Sequence, residues 1–588
     1  MIERKLRSKR VLIVLDDVDN VKQLEELAGA HDWFGEGSRI VITTRDKHLL
    51  STRYADEVYE VSLFSTKEAV ELFSRHAFQN DKPIEGYRML SSCVVSYAGG
   101  LPLALEVLGS VLYDKDKDEW KSTLAKLKCI PEEKVMGRLK ISYDGLEPYQ
   151  KDLFLDIACF MRRSSSFLSW RMEDPMMVLD ACNLHPVIGL KVLEQKSLTK
   201  VSNKGGFEMH DLIVEMAHYI VRGEHPNHPE KYSRIWKEED LKYLCDMGAA
   251  APSMENEVLA NLPEDIISHP GLLDVVANMK KLRWIEWDSF PASSFPSNFQ
   301  PTKLCCLMLR FGEQTKLWEG CKHLPNLKVL DLYWSKNLIK TPDFEGLPCL
   351  ERLILESCES LEEIHPSIGY HKRLVFVDMS FCFRLKRFPP IVHMKKLETL
   401  DLMCCGQLQQ FPDIQSNMDS LVTLDLSSTG IKIIPPSVGR FCTNLVSLNL
   451  SHCSDKRSSH QDGPVSLKLP QFPRSLRKLD LSSCNLGDGD IPSDICELLN
   501  LQILDLSGNN FSRLPSGISR LPGLKLLNLT YSSKLVELSD LPSSIAFLKA
   551  YDCRSLEIVG DLSDYKWLWK VSLWRRANKR VLLSMLEV

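Results

Sequence analysis

The sequence predicts a multidomain α/β protein in which a partial parallel sheet and helical domains precede a long repeat solenoid. Three observations predict this fold class. A leucine pattern recurs through the second half, two apolar runs near the amino terminus each end in charged residues, and segments with helical spacing of apolar residues lie between them. A chain of 588 residues is also too long for one hydrophobic core, so several domains are expected.

The composition is typical of a soluble globular protein, with 44% apolar and 26% charged residues. The formal net charge of -5 is small for this length, so no strong field favours nucleic acid or an anionic membrane as a partner. No apolar run approaches the roughly 18 to 20 residues that span a bilayer. We therefore expect no transmembrane segment and no nucleic-acid partner.

The 18 cysteines favour a reducing compartment over a secreted disulfide scaffold. The chain has no C-x-x-C pair, and its first residues do not form a signal segment. We expect a cytoplasmic or nucleo-cytoplasmic protein.

A leucine repeat dominates the second half of the chain. The pattern L-x-x-L-x-L, with close variants, recurs every 23 or 24 residues from Leu304 to Leu445, which matches the leucine-rich-repeat period. We predict a leucine-rich-repeat domain over residues 278–560, in which stacked repeats supply each other's core. One step, from Leu445 to Leu476, is 31 residues, and its surplus lies in the polar residues 454–463, predicted as a surface loop. The clearest matches begin at Leu327, Leu397, Leu421, Leu445, Leu476, Leu501 and Leu524.

Small residues occupy one recurring position just after each predicted strand. We predict that their side chains fill the space beneath the turn. Metal binding is disfavoured, because these cysteines would lie in separate layers without a pairing spacing. The position is held by Cys358, Cys382, Cys405, Cys453, Cys484 and Asn509.

Acidic residues recur between the two strand leucines, where we expect exposed side chains on the concave face. Neighbouring strands lie about 4.8 Å apart, so these carboxylates would form a column. Either each carboxylate satisfies local loop amides, or the column binds a basic or polar ligand. The column comprises Asp331, Asp378, Asp401, Asp425, Asp480 and Asp505, with Asn449 and Asn528 in the same register.

In the first half, residues 11–15 (VLIVL) form an apolar run that predicts a strand buried on both faces of a parallel sheet. Asp16 and Asp17 follow it, where α/β sheets bind ligands. Asp16 could hold a phosphate-bound magnesium ion and Asp17 could orient a water molecule, or both could mark a sheet edge in solvent. A second run, residues 39–44 (RIVITT), ends in Arg45. A helix between the strands makes a βαβ unit, so Asp16 and Arg45 would flank one site.

The order of motifs over residues 1–240 resembles the nucleotide-binding switch region of plant disease-resistance receptors. The residues of the first motif and the LFLDIACF segment are typical of the TIR-NB-ARC-LRR class, whose members carry an amino-terminal Toll/interleukin-receptor-like domain. The motifs are KRVLIVLDDVD (9–19), GSRIVITTRD (37–46), YEVSLFSTKEAVELFSRHAF (59–78), GGLPLALEVLGS (99–110), LKISYDGL (139–146), KDLFLDIACF (151–160) and MHDL (209–212).

The resemblance implies an ADP or ATP site with Mg²⁺ on a partial P-loop-NTPase-like sheet. Asp16 takes the magnesium role, Arg45 contacts the terminal phosphate, Pro102 lies by the adenine and ribose, and His210 reads the ADP phosphate. Asp17 would have a catalytic role only in a complete nucleotide site. Spacing alone favours a structural role for His210, beside a helix capped by Asp211, and the order of the other motifs favours the phosphate role instead.

The resemblance also implies the domain boundaries. We expect a partial nucleotide-binding α/β subdomain at 1–65, a helical ARC1-like subdomain at 66–136 and a winged-helix ARC2-like subdomain at 137–240. A junction at 241–277 leads to the repeats, and residues 561–588 form a cap or a truncated post-repeat segment. Within it, the basic and aromatic residues 566–583 predict a strand that caps the last repeat, through Trp567, Trp569, Val571 and Leu573, or a surface that binds anionic lipid.

No G-x-x-x-x-G-K-[ST] motif occurs in the sequence, and no signalling domain precedes the first motif. We therefore expect a chain truncated at its amino end that binds ADP or ATP weakly or not at all. We also expect that the exposed edge of residues 11–15 invites aggregation or a partner.

Three functions remain open. The first is an intracellular immune receptor that acts as an ADP/ATP-regulated signalling switch, with a pathogen effector or a guarded host protein bound on the concave face. The second is a residual slow ATPase, which the missing lysine loop disfavours, so we expect no enzyme. The third is a truncated interaction or regulatory protein that binds no nucleotide and associates with itself or with a related receptor.

Overall fold

The computed structural model describes residues 6–50, 55–129, 133–161, 174–202, 206–223, 225–247, 258–260, 262, 264–267, 269–453, 467–469, 471–515, 517–560, 562 and 565–573. The chain forms two compact units, Met1–Asp240 and Leu241–Val588. The finer boundaries within these units remain predictions. The loop expected at residues 454–463 and most of the basic tail lie outside the described residues.

The first unit opens with a parallel pair of strands, β1 (Leu12–Leu15) and β2 (Arg39–Ile42), joined through helix α1 (Val21–Ala28). Asn20 caps the helix, because its side chain accepts a hydrogen bond from the Lys22 amide. The predicted βαβ unit is thus present. The expectation that the first strand is buried on both faces is wrong, since Leu12 and Val14 are 69% and 59% exposed. No described element covers that face of the pair.

Five helices follow, α2 (Thr66–Phe78), α3 (Arg88–Ala98), α4 (Pro102–Leu112), α5 (Lys117–Cys129) and α6 (Glu133–Asp144). Trp120 is their buried centre, 1% exposed, and its indole N–H donates to the Leu112 carbonyl. Phe78 stacks on Trp120 at 5.4 Å between ring centroids, and Phe73 meets it edge-on at 5.8 Å. These ring contacts tie the first helix to the fourth.

The last part of this unit is a set of helices with a short antiparallel hairpin between two of them. The hairpin pairs β3 (Lys200–Val201) with β4 (Phe207–Glu208), and β5 (Arg234–Ile235) follows. The helices are α7 (Pro148–Asp156), α8 (Asp174–Ala181), α9 (Pro186–Gln195) and α10 (Asp211–Arg222), with a π-helical segment at Ile157–Met161. Helix α11 (Glu238–Met247) begins in this unit and continues into the second.

A buried ion pair holds this part together. Arg234 Nε donates to Asp156 Oδ1 at 2.6 Å, and both side chains are 2% exposed. Arg234 also donates to Asp152 at 3.0 Å. Burial alone lowers the pKa of Arg234, but Asp156 and Asp152 hold that pKa above its usual value, so the guanidinium stays charged.

The second unit consists of stacked repeats. Two helices, α12 (Glu264–Ile267) and α13 (Leu272–Asn278), lie before the regular repeats, and α14 (Ser437–Phe441) lies within them. Consecutive strands pair in parallel and in register from β6 to β17, and β19 and β21 continue the sheet. The strands are β6 (Val258–Leu259), β7 (Trp284–Glu286), β8 (Cys306–Met308), β9 (Val329–Asp331), β10 (Arg352–Ile354), β11 (Phe376–Asp378), β12 (Thr399–Asp401), β13 (Thr423–Asp425), β14 (Ser447–Asn449), β15 (Lys478–Asp480), β16 (Ile503–Asp505), β17 (Leu526–Asn528), β19 (Phe547–Lys549) and β21 (Lys570–Ser572).

Strands β18 (Glu537–Leu538) and β20 (Ile558–Val559) pair with each other in a separate small sheet. The central leucine of most strands is completely buried, as at Leu353 and Leu400. The predicted solenoid is confirmed.

The small-residue column also takes the place that the sequence predicts. Cys358, Cys382 and Cys405 are fully buried, and each thiol donates to a backbone carbonyl of the preceding repeat at 3.2 to 3.3 Å. Asn509 does the same through its amide nitrogen, at 2.8 Å from the Leu481 carbonyl. One side chain per layer therefore satisfies a buried carbonyl and fills the space beneath the turn.

The predicted terminal strand is present as β21, which pairs with β19. Trp567 and Trp569, which were expected in this strand, lie before it and are 71% and 85% exposed. The strand begins only at Lys570, and its register aligns Val571 with the buried Leu548.

Among the described residues, no single helix has the length and apolar character to cross a membrane. One bent pair, Pro175–Ala181 with Pro186–Gln195, meets that criterion by length and composition alone.

Candidate functional site

The carboxyl ends of β1 and β2 bring together the first group of predicted site residues. Arg45 donates to Asp17 Oδ2 at 3.0 Å, and the Thr43 hydroxyl donates to Asp16 Oδ1. Asp17 has a φ of 53°, and its amide donates to Thr43 Oγ1 at 2.8 Å. The turn after β1 therefore aims both carboxylates at the end of β2. Asp16 and Arg45 flank one exposed polar cluster, as the βαβ geometry requires.

His210 joins two segments that are 111 residues apart in the sequence. Its Nδ1 accepts a hydrogen bond from the Leu212 amide at 3.1 Å, so His210 is the cap of α10. The suggestion that Asp211 caps this helix is therefore wrong. Because Nδ1 accepts, Nε2 carries the ring proton and donates to the Gly99 carbonyl at 3.1 Å. Both ring nitrogens are occupied in this conformation.

Neighbouring atoms leave no room for a side chain at Gly99 or Gly100. A Cβ on Gly99 would lie 2.7 Å from His210 Nε2, and both glycines have positive φ. The Gly100 carbonyl accepts from the Phe64 amide at 3.0 Å, which ties the turn to the segment before α2. Pro102, the first residue of α4, follows directly and is exposed. The structure thus brings Pro102 and His210 to one turn, through Gly99.

A second contact between α3 and α10 was not predicted. The Tyr97 hydroxyl donates to Glu215 Oε2 at 2.5 Å, across 118 residues. Burial raises the pKa of Glu215 and the Tyr97 hydrogen bond opposes that rise. Neither residue lies in a recognisable motif, and Glu215 shares its helix face with the polar Asp211, His218 and Arg222, so no sequence signal marks this contact.

The two groups of site residues are separate. In the described part of the chain, no hydrogen bond or ion pair joins Asp16, Asp17 or Arg45 to Pro102 or His210. The closest charged link between their surroundings is Lys196, which lies 3.9 Å from Asp46. Lys196 directly follows α9, so this ion pair connects the end of α9 to the turn after β2.

The residues fit a nucleotide and a magnesium ion unequally. Asp16 is exposed and offers carboxylate oxygens, which Mg²⁺ prefers. Arg45 is 43% exposed and carries further N–H donors besides the one bound to Asp17. His210, by contrast, must give up the Gly99 carbonyl before Nε2 can donate to a phosphate.

The acidic column of the repeats forms local hydrogen bonds. Asp378 Oδ1 accepts from both the amide and the hydroxyl of Ser380, at 3.0 and 2.7 Å. The expectation of exposed side chains is wrong, because Asp331 and Asp378 are only 2% and 3% exposed and the others are half-buried. In the rest of the column, too, the side-chain oxygen accepts a hydrogen bond from the backbone amide two residues later. These residues are Asp331, Asp401, Asp425, Asn449, Asp480, Asp505 and Asn528.

Asp401 has a different charge environment from the rest of this column. Burial raises its pKa to about 7, the Met403 amide opposes that rise, and Asp378, Asp425 and Glu356 add to it. Elsewhere in the column a neighbour relieves the repulsion. Asn449 donates to Asp425 Oδ2 at 2.8 Å, for example.

Comparison of the sequence with known protein families agrees with this architecture. Sequence models match for the NB-ARC domain (residues 1–83), the Roq1-like winged-helix domain of disease resistance proteins (147–225) and RPS4B-like leucine-rich repeats (370–565). YopM from Yersinia enterocolitica, a solved structure, is 20% identical over 52% of this chain and 68% of that one, with a TM-score of 0.30.

Curated relatives extend the match over nearly the whole chain. The TMV resistance protein N of Nicotiana glutinosa is 35% identical, over 93% of this chain and 54% of that protein. The putative disease resistance protein At4g11170 of Arabidopsis thaliana is 32% identical, over 95% and 50%. This chain therefore spans about half the length of these relatives. It belongs to the TIR-NB-ARC-LRR class of plant disease-resistance proteins.

Proposed function

We propose that this chain carries the switch and recognition parts of an intracellular plant immune receptor, which ADP and ATP regulate and which signals in defence. The observation that carries the proposal is the bond from His210 to Gly99, since it joins the winged-helix region to the turn before Pro102. A two-state switch needs a structural element whose contacts differ between the two states. His210 is such an element, because its Nε2–H can donate either to the Gly99 carbonyl or to a bound ligand.

In the closed state, Nε2 of His210 donates either to the Gly99 carbonyl or to a phosphate oxygen of ADP. Pro102 borders the adenine and ribose, Arg45 faces the terminal phosphate, and Asp16 holds the magnesium ion. The exposure of Asp16 and the spare donors of Arg45 support these roles. Replacing ADP by ATP would change what His210 contacts and so release α10 from α3.

A protein of these 588 residues binds nucleotide weakly in our proposal. The sequence contains no G-x-x-x-x-G-K-[ST] motif, whose amides and lysine cradle phosphates in related sites. We therefore expect no affinity in the micromolar range, and no catalysis beyond a residual, slow ATPase. A titration with a fluorescent ADP analogue measures this directly, and micromolar binding would refute it.

Thermal melting with millimolar ADP and Mg²⁺ tests the switch itself. A ligand that binds only the folded state raises its stability by mass action. We expect the melting temperature of the first unit to rise, and the rise to shrink in a His210→Ala variant but not in a His225→Ala variant, since His225 is exposed and its ring contacts His228.

The alternative is an interaction protein that binds no nucleotide, and the self-contained repeat unit favours it. In either case a protein ligand, an effector or a guarded host protein, would bind the concave face. An unchanged melting profile at every nucleotide concentration would favour the alternative and contradict the switch.

A further inference from the structure

Near the carboxyl end of the repeats, exposed basic residues cluster on the face of the sheet that points away from the leucine core. Lys478 begins β15, Lys549 ends β19 and Lys570 begins β21, and all three alternate with the inward leucine or valine of their strands. Arg477 and Lys525 lie just before two strands of the same sheet and are exposed as well. We call these five residues and the apolar column between them the basic patch.

The strand register gives the patch an apolar centre. It aligns Lys478, Ile503, Leu526, Phe547 and Lys570 across five neighbouring strands, so that two lysines enclose three apolar side chains. Ile503 is 38% exposed, and Leu526 and Phe547 are half-buried. The Trp569 ring, 85% exposed, meets Phe547 edge-on at 6.0 Å between centroids. An apolar centre with a polar rim is the usual make-up of a protein interface.

The cations of the patch differ from several lysines of the earlier repeats. Lys336 pairs with Glu359 of the next repeat at 3.3 Å, and Lys340 with Glu363 at 2.9 Å. Among the described residues, none of the five basic residues of the patch forms an ion pair. The patch therefore offers unneutralised positive charge beside exposed apolar surface, and Asp480 and Asp505 lie side by side in the adjacent column of the described sheet.

We propose that the basic patch binds an extended segment of a partner protein in which a few apolar side chains are flanked at both ends by acidic side chains. The proposal rests on the recognition role proposed above for the repeats and names the chemistry of the partner. Four steps of about 4.8 Å separate β15 from β21, so the patch is about 19 Å long. An extended chain rises about 3.3 Å per residue, so about six residues cover it.

Charge complementarity favours a protein segment over nucleic acid. The middle of the patch is apolar, which a phosphate backbone cannot use, and the two half-buried aspartates would repel phosphates. An acidic segment with apolar anchors uses both the lysines at the rim and the surface of Ile503, Leu526 and Phe547.

The test uses the full chain and a labelled synthetic peptide of about eight residues, with two glutamates at each end and phenylalanines between them, so that it exceeds the patch in length. Its counterpart carries glutamine in place of glutamate. We expect the glutamate peptide to bind at least about tenfold more tightly, with an affinity that falls as salt is added. Equal affinity for the two peptides would overturn the proposal.

Charge reversal then locates the site. The variant Lys478→Glu/Lys549→Glu/Lys570→Glu should weaken binding of the glutamate peptide by at least about tenfold. The matched control Lys372→Glu/Lys395→Glu/Lys396→Glu carries the same charge change at exposed lysines in loops of the middle repeats, and should bind as the original chain does. Should the reversed variant misfold, glutamine at the same three positions replaces it.

Equal weakening in the two variants would mean that only net charge matters, and the proposal would fall. Tighter binding of a single-stranded oligonucleotide at the patch would assign it to nucleic acid instead. Either result leaves the nucleotide switch untouched, since that is measured by the response of the first unit to ADP and Mg²⁺.

Discussion

The parallel strands of the two units are alike in sequence and unlike in environment. Leu12 and Val14 of β1 are 69% and 59% exposed, whereas Leu353 and Leu400 in the repeats are completely buried. Each strand from β7 to β17 has a parallel neighbour on either side, but β1 pairs only with β2 in the described chain. Apolar sequence therefore predicts the strand, while burial depends on what else packs on it.

Polar contacts differ between the units in the same way. In the repeats, one bond type recurs in layer after layer, such as the thiol-to-carbonyl bond of Cys358 and Cys382. In the first unit, single contacts join distant segments, such as His210 to Gly99 and Arg234 to Asp156. Loss of one layer's bond should stay local, whereas loss of a single long-range contact should loosen a whole unit.

The largest effect is expected from Asp156→Ala in the first unit. This change leaves the guanidinium of Arg234 buried without its nearest partner, and breaking a buried ion pair costs about 3–5 kcal/mol. Urea unfolding should show the loss in the transition of the first unit. Asp152→Ala is the control, since Asp152 is 45% exposed and should cost about 1 kcal/mol or less. Equal losses of unfolding free energy in the two variants would contradict the greater importance of the buried Asp156.

A matched pair of truncations addresses the strands directly. Leu400→Ala removes a fully buried side chain in β12 and should cost about 2–5 kcal/mol. Val14→Ala removes a largely exposed one in β1 and should cost about 0.5 kcal/mol or less. Urea unfolding of both variants measures the difference. A large loss for Val14→Ala would mean that β1 is covered in solution.

The smallest effect is a gain in stability from Asp401→Asn. Because the folded pKa of Asp401 is raised to about 7, its contribution to stability is complete below about pH 4 and is lost as the pH rises through 7. At about pH 8 the variant should be about 1–2 kcal/mol more stable, and the gain should vanish near pH 4. An asparagine can still accept from the Met403 amide.

Asp505→Asn is the control for this measurement, because Asn528 already donates to Asp505 Oδ2 at 2.7 Å. We expect no gain there. A gain at Asp505 equal to that at Asp401, or a gain at Asp401 that does not depend on pH, would contradict the assigned cause. Retained peptide binding in Asp401→Asn would separate the acidic column from recognition.

The sequence predicts the repeats well because their signal is periodic. Every strand from β8 to β17 lies on a leucine pattern, and the register follows from equal spacing. The acidic column was placed in the correct register but with the wrong exposure. A pattern of residue types shows that Asp378 points away from the leucines, and it does not show that the Ser380 loop folds back over the carboxylate.

The site in the first unit was predicted less fully. The carboxyl ends of β1 and β2 meet because parallel topology requires it, so Asp16 and Arg45 could be placed at one site from sequence. That Arg45 pairs with Asp17, while Asp16 accepts from Thr43, could not be predicted. The bond of Tyr97 to Glu215 could not, since it depends on how α3 and α10 pack across 118 residues. The cap of α10 was also assigned to the wrong residue, because histidine is an uncommon cap.

The most direct test of the account is amide hydrogen exchange of the full chain with and without millimolar ADP and Mg²⁺. The central claim is that the His210 contact with Gly99 belongs to a nucleotide-responsive site, while the repeats form an independent unit. We predict slower exchange at residues 99–105 and 210–214 and no change in the repeat strands. Unchanged exchange around Gly99 and His210, or a change confined to the repeats, would contradict the claim.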